Sequence, residues 1–328
     1  MYKYFIKKLG NQELGSVNSF GVPQRGRYIF VSKSTEVLSI FPPLSEIVVN
    51  DSALLPILAM YSGEKVYCNY IYHNDSISRP GIGTRNEYRI YLNKGLDNKD
   101  KLFFVAGDYV IIRKVELLQD GIDNSFYALD YIKASDATFS AFVNSLTPLR
   151  ANSGQYYYEG EITQFENKLR SLSAPTKVIV DDKVTAEIQK EEKSGRDISS
   201  LFSAQTFRDF VLAGYGYKCA ITNMSIQYKE LYNIEAAHIM PRSHSGLFMP
   251  NNGIALSRDM HWAFDKGFFT ITRDLTVKVH PEIKSEYLRS YDGKKIFVPD
   301  NSFFIPDVNN LKYHQEHIYG LFKTTGRL

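Results

Sequence analysis

Four side chains in the last third of the chain are of types that can carry hydrolysis: His238, Asn252, His261 and Asp265. His261 and Asp265 stand four residues apart, which on a helix puts both on one face. An imidazole beside a carboxylate suits a divalent ion that accepts nitrogen and oxygen donors. His238 ends the strand-like run NIEAAH and is then free to act as a general base on water. With an ion polarising a phosphate oxygen, the set amounts to metal-assisted hydrolysis. A histidine in a strand carries little meaning alone. The order His, Asn-Gly, His-x-x-x-Asp is the specific signal, although an Asp before Lys-Gly can also simply end a helix.

Elements that can position these groups are legible around them. Phe207, Phe210 and Val211 recur at i, i+3, i+4, which predicts an amphipathic helix over 204–215. It runs into YKCAIT, the NIEAAHIMP run, a glycine-containing loop and a second helix near 256–264. A last helical stretch is expected over 311–318, after Pro299 and Pro306. The earlier part of the chain reads as strands at 25–32, 65–73, 86–92, 108–116 and 126–134, rich in β-branched and aromatic residues and separated by turn-forming clusters. Such short strands predict a barrel or sandwich. Helix is expected over 159–172, and the polar, charged stretch 181–197 reads as a linker or a solvated helix.

The stretch AAHIMP…NNGIAL…HWAFDKG resembles the HNH endonuclease motif, a two-strand, one-helix metal finger, over about residues 203–280. The nine residues from Asn252 to His261 match the motif's interval. The resemblance implies His238 as general base, Asn252 as the asparagine that braces the loop, His261 as the helix-borne metal ligand and Asp265 as a further ligand. It implies one divalent ion per site, Mg²⁺ or another such as Mn²⁺. Arg242, in the loop after the base, is a candidate phosphate contact. The chain departs from the motif where a ligand usually precedes the base, since Ala237 stands there; Glu235, two residues back, is a weaker candidate. The family's structural zinc is not expected, because its cysteine positions read Cys219, Thr222, Ser257 and Met260. Trp262, Phe264, Phe268 and Phe269 are then expected to hold the finger together by packing.

A finger that grips the backbone supplies little sequence information. The opening FIKKLGNQELG…QRGRYIF…FPPLS, with GTRNEYRIYL and FVAGDYVIIRKV, resembles over about residues 2–120 the effector domain of EcoRII-type restriction enzymes, a DNA-binding pseudobarrel that grips the major groove with two arms. Mapped here, one arm holds Lys8, Asn11, Gln12, Gln24, Arg25 and Arg27, and the other Thr84, Arg85, Asn86, Glu87 and Arg89. Arg reads guanine, Asn or Gln adenine, and Glu accepts from cytosine. An ordinary solvated strand face is the competing reading of Arg85, Glu87 and Arg89.

The 328 residues, 44% apolar and 23% charged, fit two folded domains. The expected class is α+β: a β-rich pseudobarrel over 1–138, a helix and charged linker over 139–200, and a ββα-metal nuclease domain with flanking helices over 201–328. The net charge of +3 excludes no partner class, but residues 1–33 carry six cations against Glu13 alone. Neither a membrane span nor a signal peptide is read, and two cysteines give no disulfide framework, so a bacterial or archaeal cytoplasm is expected. The expected function is sequence-specific, metal-dependent cleavage of double-stranded DNA, by a homodimer and alongside a separately encoded methyltransferase. A nuclease that senses a modified base is the near alternative, and a DNA-binding regulator with a vestigial finger the remote one.

Overall fold

Strand β1 (Tyr2–Lys8) sends consecutive apolar side chains to opposite faces, and both faces are covered. Tyr4 and Ile6 pack with Tyr109, Ile111, Phe139 and Phe165, whereas Phe5 joins Ile57, Val66, Tyr70 and Leu129. The computed structural model describes residues 1–14, 27–74, 86–92, 96, 104–119, 122–172, 177–228 and 231–322; of Gln12, Gln119 and Ile122 only the backbone is described. The chain divides into two units, Met1–Val184 and Thr185–Leu328.

The first unit continues with a short helix α1 (Asn11–Leu14), β2 (Tyr28–Val31), α2 (Thr35–Leu38), β3 (Ser52–Ala59), β4 (Glu64–His73), β5 (Glu87–Tyr91) and β6 (Tyr109–Val115). A small hairpin of β7 (Leu118–Gln119) and β8 (Ile122–Asp123) leads to β9 (Phe126–Ile132), α3 (Ala137–Ser145), β10 (Gln155–Gly160), α4 (Thr163–Ser171) and β11 (Val178–Ile179). Among the described residues, nine strands form one curled sheet in the order β10-β1-β6-β9-β3-β4-β5-β2, with β11 beside β4. The pairing is antiparallel except for β3 with β9 and β4 with β11. Helices α3 and α4 cover one face through Phe139, Val143 and Phe165. Glu166 ties α4 down, accepting from Tyr4 Oη at 2.6 Å and pairing with Arg113 Nε at 2.9 Å.

The strands expected at 65–73, 86–92, 108–116 and 126–134 correspond to β4, β5, β6 and β9, and that expected at 25–32 to β2. Strands β1, β3 and β10 were not expected. Pro56 makes β3 read poorly as a central strand, yet β9 pairs with β3 only at residues 57–59, so the missing N–H breaks no ladder on that side. The helix expected over 159–172 begins later, since residues 159–160 complete β10.

In the second unit, helix α5 (Asp182–Lys193) enters across the division and α6 (Ala204–Gly214) follows. A short antiparallel strand pair, β12 (Gln227–Tyr228) and β13 (Leu231–Tyr232), precedes the finger: β14 (Ile234–His238), β15 (Gly253–Ser257) and α7 (Arg258–Asp265). Strands β16 (Phe269–Ile271) and β17 (Val277–Val279), a turn of helix α8 (Glu286–Arg289) and α9 (Val308–His317) complete it. The core gathers Phe207, Val211, Ala237, Ile254, Met260, Phe264 and Phe269 from these elements. Trp262 departs from expectation: Met260, Ala263 and Phe264 are the face of α7 turned inward, which leaves Trp262 56% exposed, its ring edge-on to Phe268 at 5.1 Å. No helix among the described residues is long and apolar enough to cross a membrane.

Candidate active site

The antiparallel pairing of β14 with β15 sets His238 directly opposite Gly253. A side chain is excluded at Gly253, where a Cβ would lie 2.3 Å from Val211 Cγ2 and 2.7 Å from Phe207 Cε2. That close approach lets α6 press Phe207 flat against the His238 ring, with centroids 4.2 Å apart and planes at 17°. Phe248 closes another side at 5.5 Å. Burial, with the charges of Arg242 and His261 adding, pushes the His238 imidazole down to about 4. The ring is therefore neutral at pH 7, the form that accepts a proton. Its Nε2 is buried without a hydrogen-bond partner among the described residues.

Asn252 sits in a 3₁₀ turn just ahead of β15 and is 1% exposed. Its Oδ1 accepts from Met240 N at 2.9 Å, and its Nδ2 donates to Met240 O at 3.1 Å and Leu247 O at 3.0 Å. All of its side-chain polar atoms are thus used to clamp the loop that follows His238. Within that loop Arg242 lies over the Phe248 ring at 4.2 Å and donates to Gly246 O. His244 Nδ1 stands 3.1 Å from Tyr313 Oη on α9.

Helix α7 carries the other pair. His261 Nε2 faces Asp265 Oδ2 at 3.4 Å, while His261 Nδ1 meets Glu235 Oε2, on β14, at 2.8 Å. Asp265 lies in the last helical turn, closed by Gly267 at φ +73° with Gly267 N donating to Phe264 O. A carboxylate there opposes the helix dipole. Burial raises the Asp265 carboxyl, with Glu235 adding to the rise against the pull of His261 and Lys266. A cation between Nε2 and Oδ2 would relieve both effects, and nitrogen plus carboxylate oxygen is a donor set that a divalent ion accepts. Among the described residues no three His, Cys, Asp or Glu side chains gather round one point. An ion there would draw its remaining ligands from water and substrate.

Behind α7, His314 stacks on Phe264 at 3.7 Å and 4°, its Nδ1 2.9 Å from Thr270 Oγ1, which fixes the helix from the side away from the site. Ala237 is fully buried in the core. Cys219 and Met260, at two of the positions where the motif's zinc ligands would stand, are core residues as well. In the sequence Phe207 reads only as a core position, and the Asn-Gly pair is the one signal there of its contact with His238.

The expected recognition residues lie in the first unit. Gln24, Arg25, Thr84 and Arg85 fall outside the described residues. Lys8 ends β1, exposed, with Nζ 5.8 Å from the Tyr109 ring, and Asn11, also exposed, opens α1 beside Gln12. Arg27 donates to Phe104 O at 3.1 Å. Asn86 is exposed and accepts from Lys33 Nζ and Tyr72 Oη. Arg89 is only 9% exposed; its guanidinium pairs with Glu87 and lies 4.0 Å over the Tyr28 ring, so these two do not form a freely solvated face. Strand register places Glu87 opposite His73 and Tyr28 opposite Tyr91, at the two ends of one ribbon.

Residues 219–272 match the HNH endonuclease family and form an HNH endonuclease domain. Among solved structures, the chain is similar to a modification-dependent TagI restriction endonuclease, at 15% identity and TM-score 0.29 over 78% of this chain and 63% of that one. It is also similar to the B3 domain of UbaLAI restriction endonuclease with cognate DNA, at 19% identity and TM-score 0.30 over 48% of this chain and 84% of that one. The chain thus spans less than two thirds of the first of these proteins. No curated protein sequence matches it.

Proposed function

We propose that the chain is a sequence-specific, metal-dependent DNA endonuclease of the restriction type, in which the first unit finds a site and the second cuts the backbone. The observation that carries the reading is a half-buried His238, its imidazole pushed down to about 4, at the end of one finger strand, together with His261 and Asp265 side by side on the finger helix. His238 accepts the proton of the attacking water. Asn252 holds the loop that carries Arg242, whose guanidinium is suited to a phosphate oxygen. His261 and Asp265 hold the divalent ion, which when bound supplies charge stabilisation to the phosphate and to the departing oxygen. A single finger cuts one strand, so double-strand cleavage takes either a homodimer or sequential nicking of the two strands. In the first unit, Lys8, Asn11, Gln12, Gln24, Arg25, Arg27, Thr84, Arg85, Asn86, Glu87 and Arg89 remain the proposed recognition set.

The test is incubation of the purified protein with Mg²⁺ and with methylated and unmethylated copies of the same long DNA. Discrete fragments from the unmethylated copy are expected. Discrete fragments from the methylated copy alone would transfer the reading to a modification-dependent nuclease. A smear on both would remove the recognition role, and tight binding without cutting would favour a regulator.

A further inference from the structure

Glu235 has a second oxygen engaged besides the one on His261: Oε1 accepts from Arg258 Nε at 3.1 Å. The carboxylate is therefore fixed between the first residue of α7 and the imidazole one turn on. Residues two apart on a strand share a face, so Glu235 projects from β14 on the same side as position 237, where Ala237 offers no donor. A neutral imidazole has one N–H and places it on the better acceptor. Here Nδ1 lies 2.8 Å from Glu235 and Nε2 3.4 Å from Asp265, so in the uncharged ring the single proton belongs on Nδ1. Nε2 then presents its lone pair beside Asp265 Oδ2, two donors turned toward the same space with no proton between them.

We propose that Glu235 is a positioning residue that selects the Nδ1–H tautomer of His261 and so makes Nε2 a metal ligand. It acts through His261 and not as a ligand itself. The proposal rests on the nuclease reading for its purpose, but its geometry stands in the free protein. A carboxylate on the far nitrogen of a ligating imidazole also raises the basicity of the ligand. The chain thereby supports its helix-borne histidine without the ligand that usually precedes the base.

Two measurements on the full chain test this. Nitrogen NMR of the metal-free protein, at a pH where the imidazole is uncharged, reports the tautomer: His261 is expected as Nδ1–H in the wild type and in Glu235→Gln, whose amide oxygen still accepts, but not in Glu235→Ala. Calorimetric titration with Mn²⁺ is expected to show affinity reduced by about 10–100-fold in Glu235→Ala and largely kept in Glu235→Gln. An Nε2–H tautomer in the wild type would overturn the proposal, as would undiminished Mn²⁺ affinity in Glu235→Ala. Equal loss in both variants would make Glu235 a direct ligand and overturn it too. Failure of the nuclease reading looks different, because Mn²⁺ would bind as described while no DNA is cut.

Discussion

Removing the Asn252 side chain separates a brace from a reacting group. Asn252→Ala deletes three hydrogen bonds, to Met240 N, Met240 O and Leu247 O, at a position 1% exposed. At about 1 kcal/mol for each bond, the variant should lose about 3 kcal/mol of stability. For a unit of this size, about 2–4 °C per kcal/mol converts that loss into a melting midpoint about 6–12 °C lower. Asn252→Asp should fare no better, since it keeps the acceptor for Met240 N but turns a buried carboxylate toward two carbonyls. Calorimetric melting of the metal-free protein measures the effect, and cleavage assayed well below the lowered midpoint shows what remains of activity. Stability and activity should fall together as the 240–247 loop loosens. An Asn252→Ala protein that melts like the wild type yet cuts no DNA would refute it and make Asn252 a direct participant.

Three other outcomes follow from the packing. Gly253→Ala should cost about 1–3 kcal/mol through the clash with Val211 and Phe207, and should cut activity by shifting Phe207 from the His238 ring; unfolding in urea measures the first and steady-state cleavage the second. The His238 proton resonance of the metal-free protein should titrate near pH 4, well below the ordinary histidine value. Because the folded-state value is depressed, His238 contributes stability above about pH 6.5 that is lost as pH falls toward 4; a titration near 6.5 would contradict its burial. In the first unit, Glu166→Ala leaves Arg113 and the Tyr4 hydroxyl without their shared acceptor and should cost about 3–5 kcal/mol by urea unfolding; a wild-type midpoint would contradict the packing of α4.

The site was more legible in the sequence than the fold that carries it. His238, His261 and Asp265 stand out because their types and intervals are constrained by chemistry, and a four-residue interval on a helix leaves little freedom. Phe207 could not be linked to His238 by spacing, because a contact between α6 and β14 depends on how closely the backbones approach at Gly253. Glu235 ranked below Asp265 in the sequence, since only strand register shows that it reaches the far side of His261. Strands β4, β5, β6 and β9 announced themselves through β-branched and aromatic runs. Strand β1 did not, since a strand covered on both faces shows no alternation and its lysines read as a basic segment. Trp262 misled for the opposite reason: aromatic size suggests a core, but its phase on α7 sets it outside.

In the proposed reaction His238 is the base of a metal-assisted cleavage of DNA. Its most direct test is single-turnover cleavage with and without Mg²⁺, comparing the wild type with His238→Ala after both are shown to bind DNA equally. Cutting should require the ion and fall by about 10²–10⁴-fold in the variant, the range that general-base catalysis supplies. Cleavage by His238→Ala at the wild-type rate would contradict it.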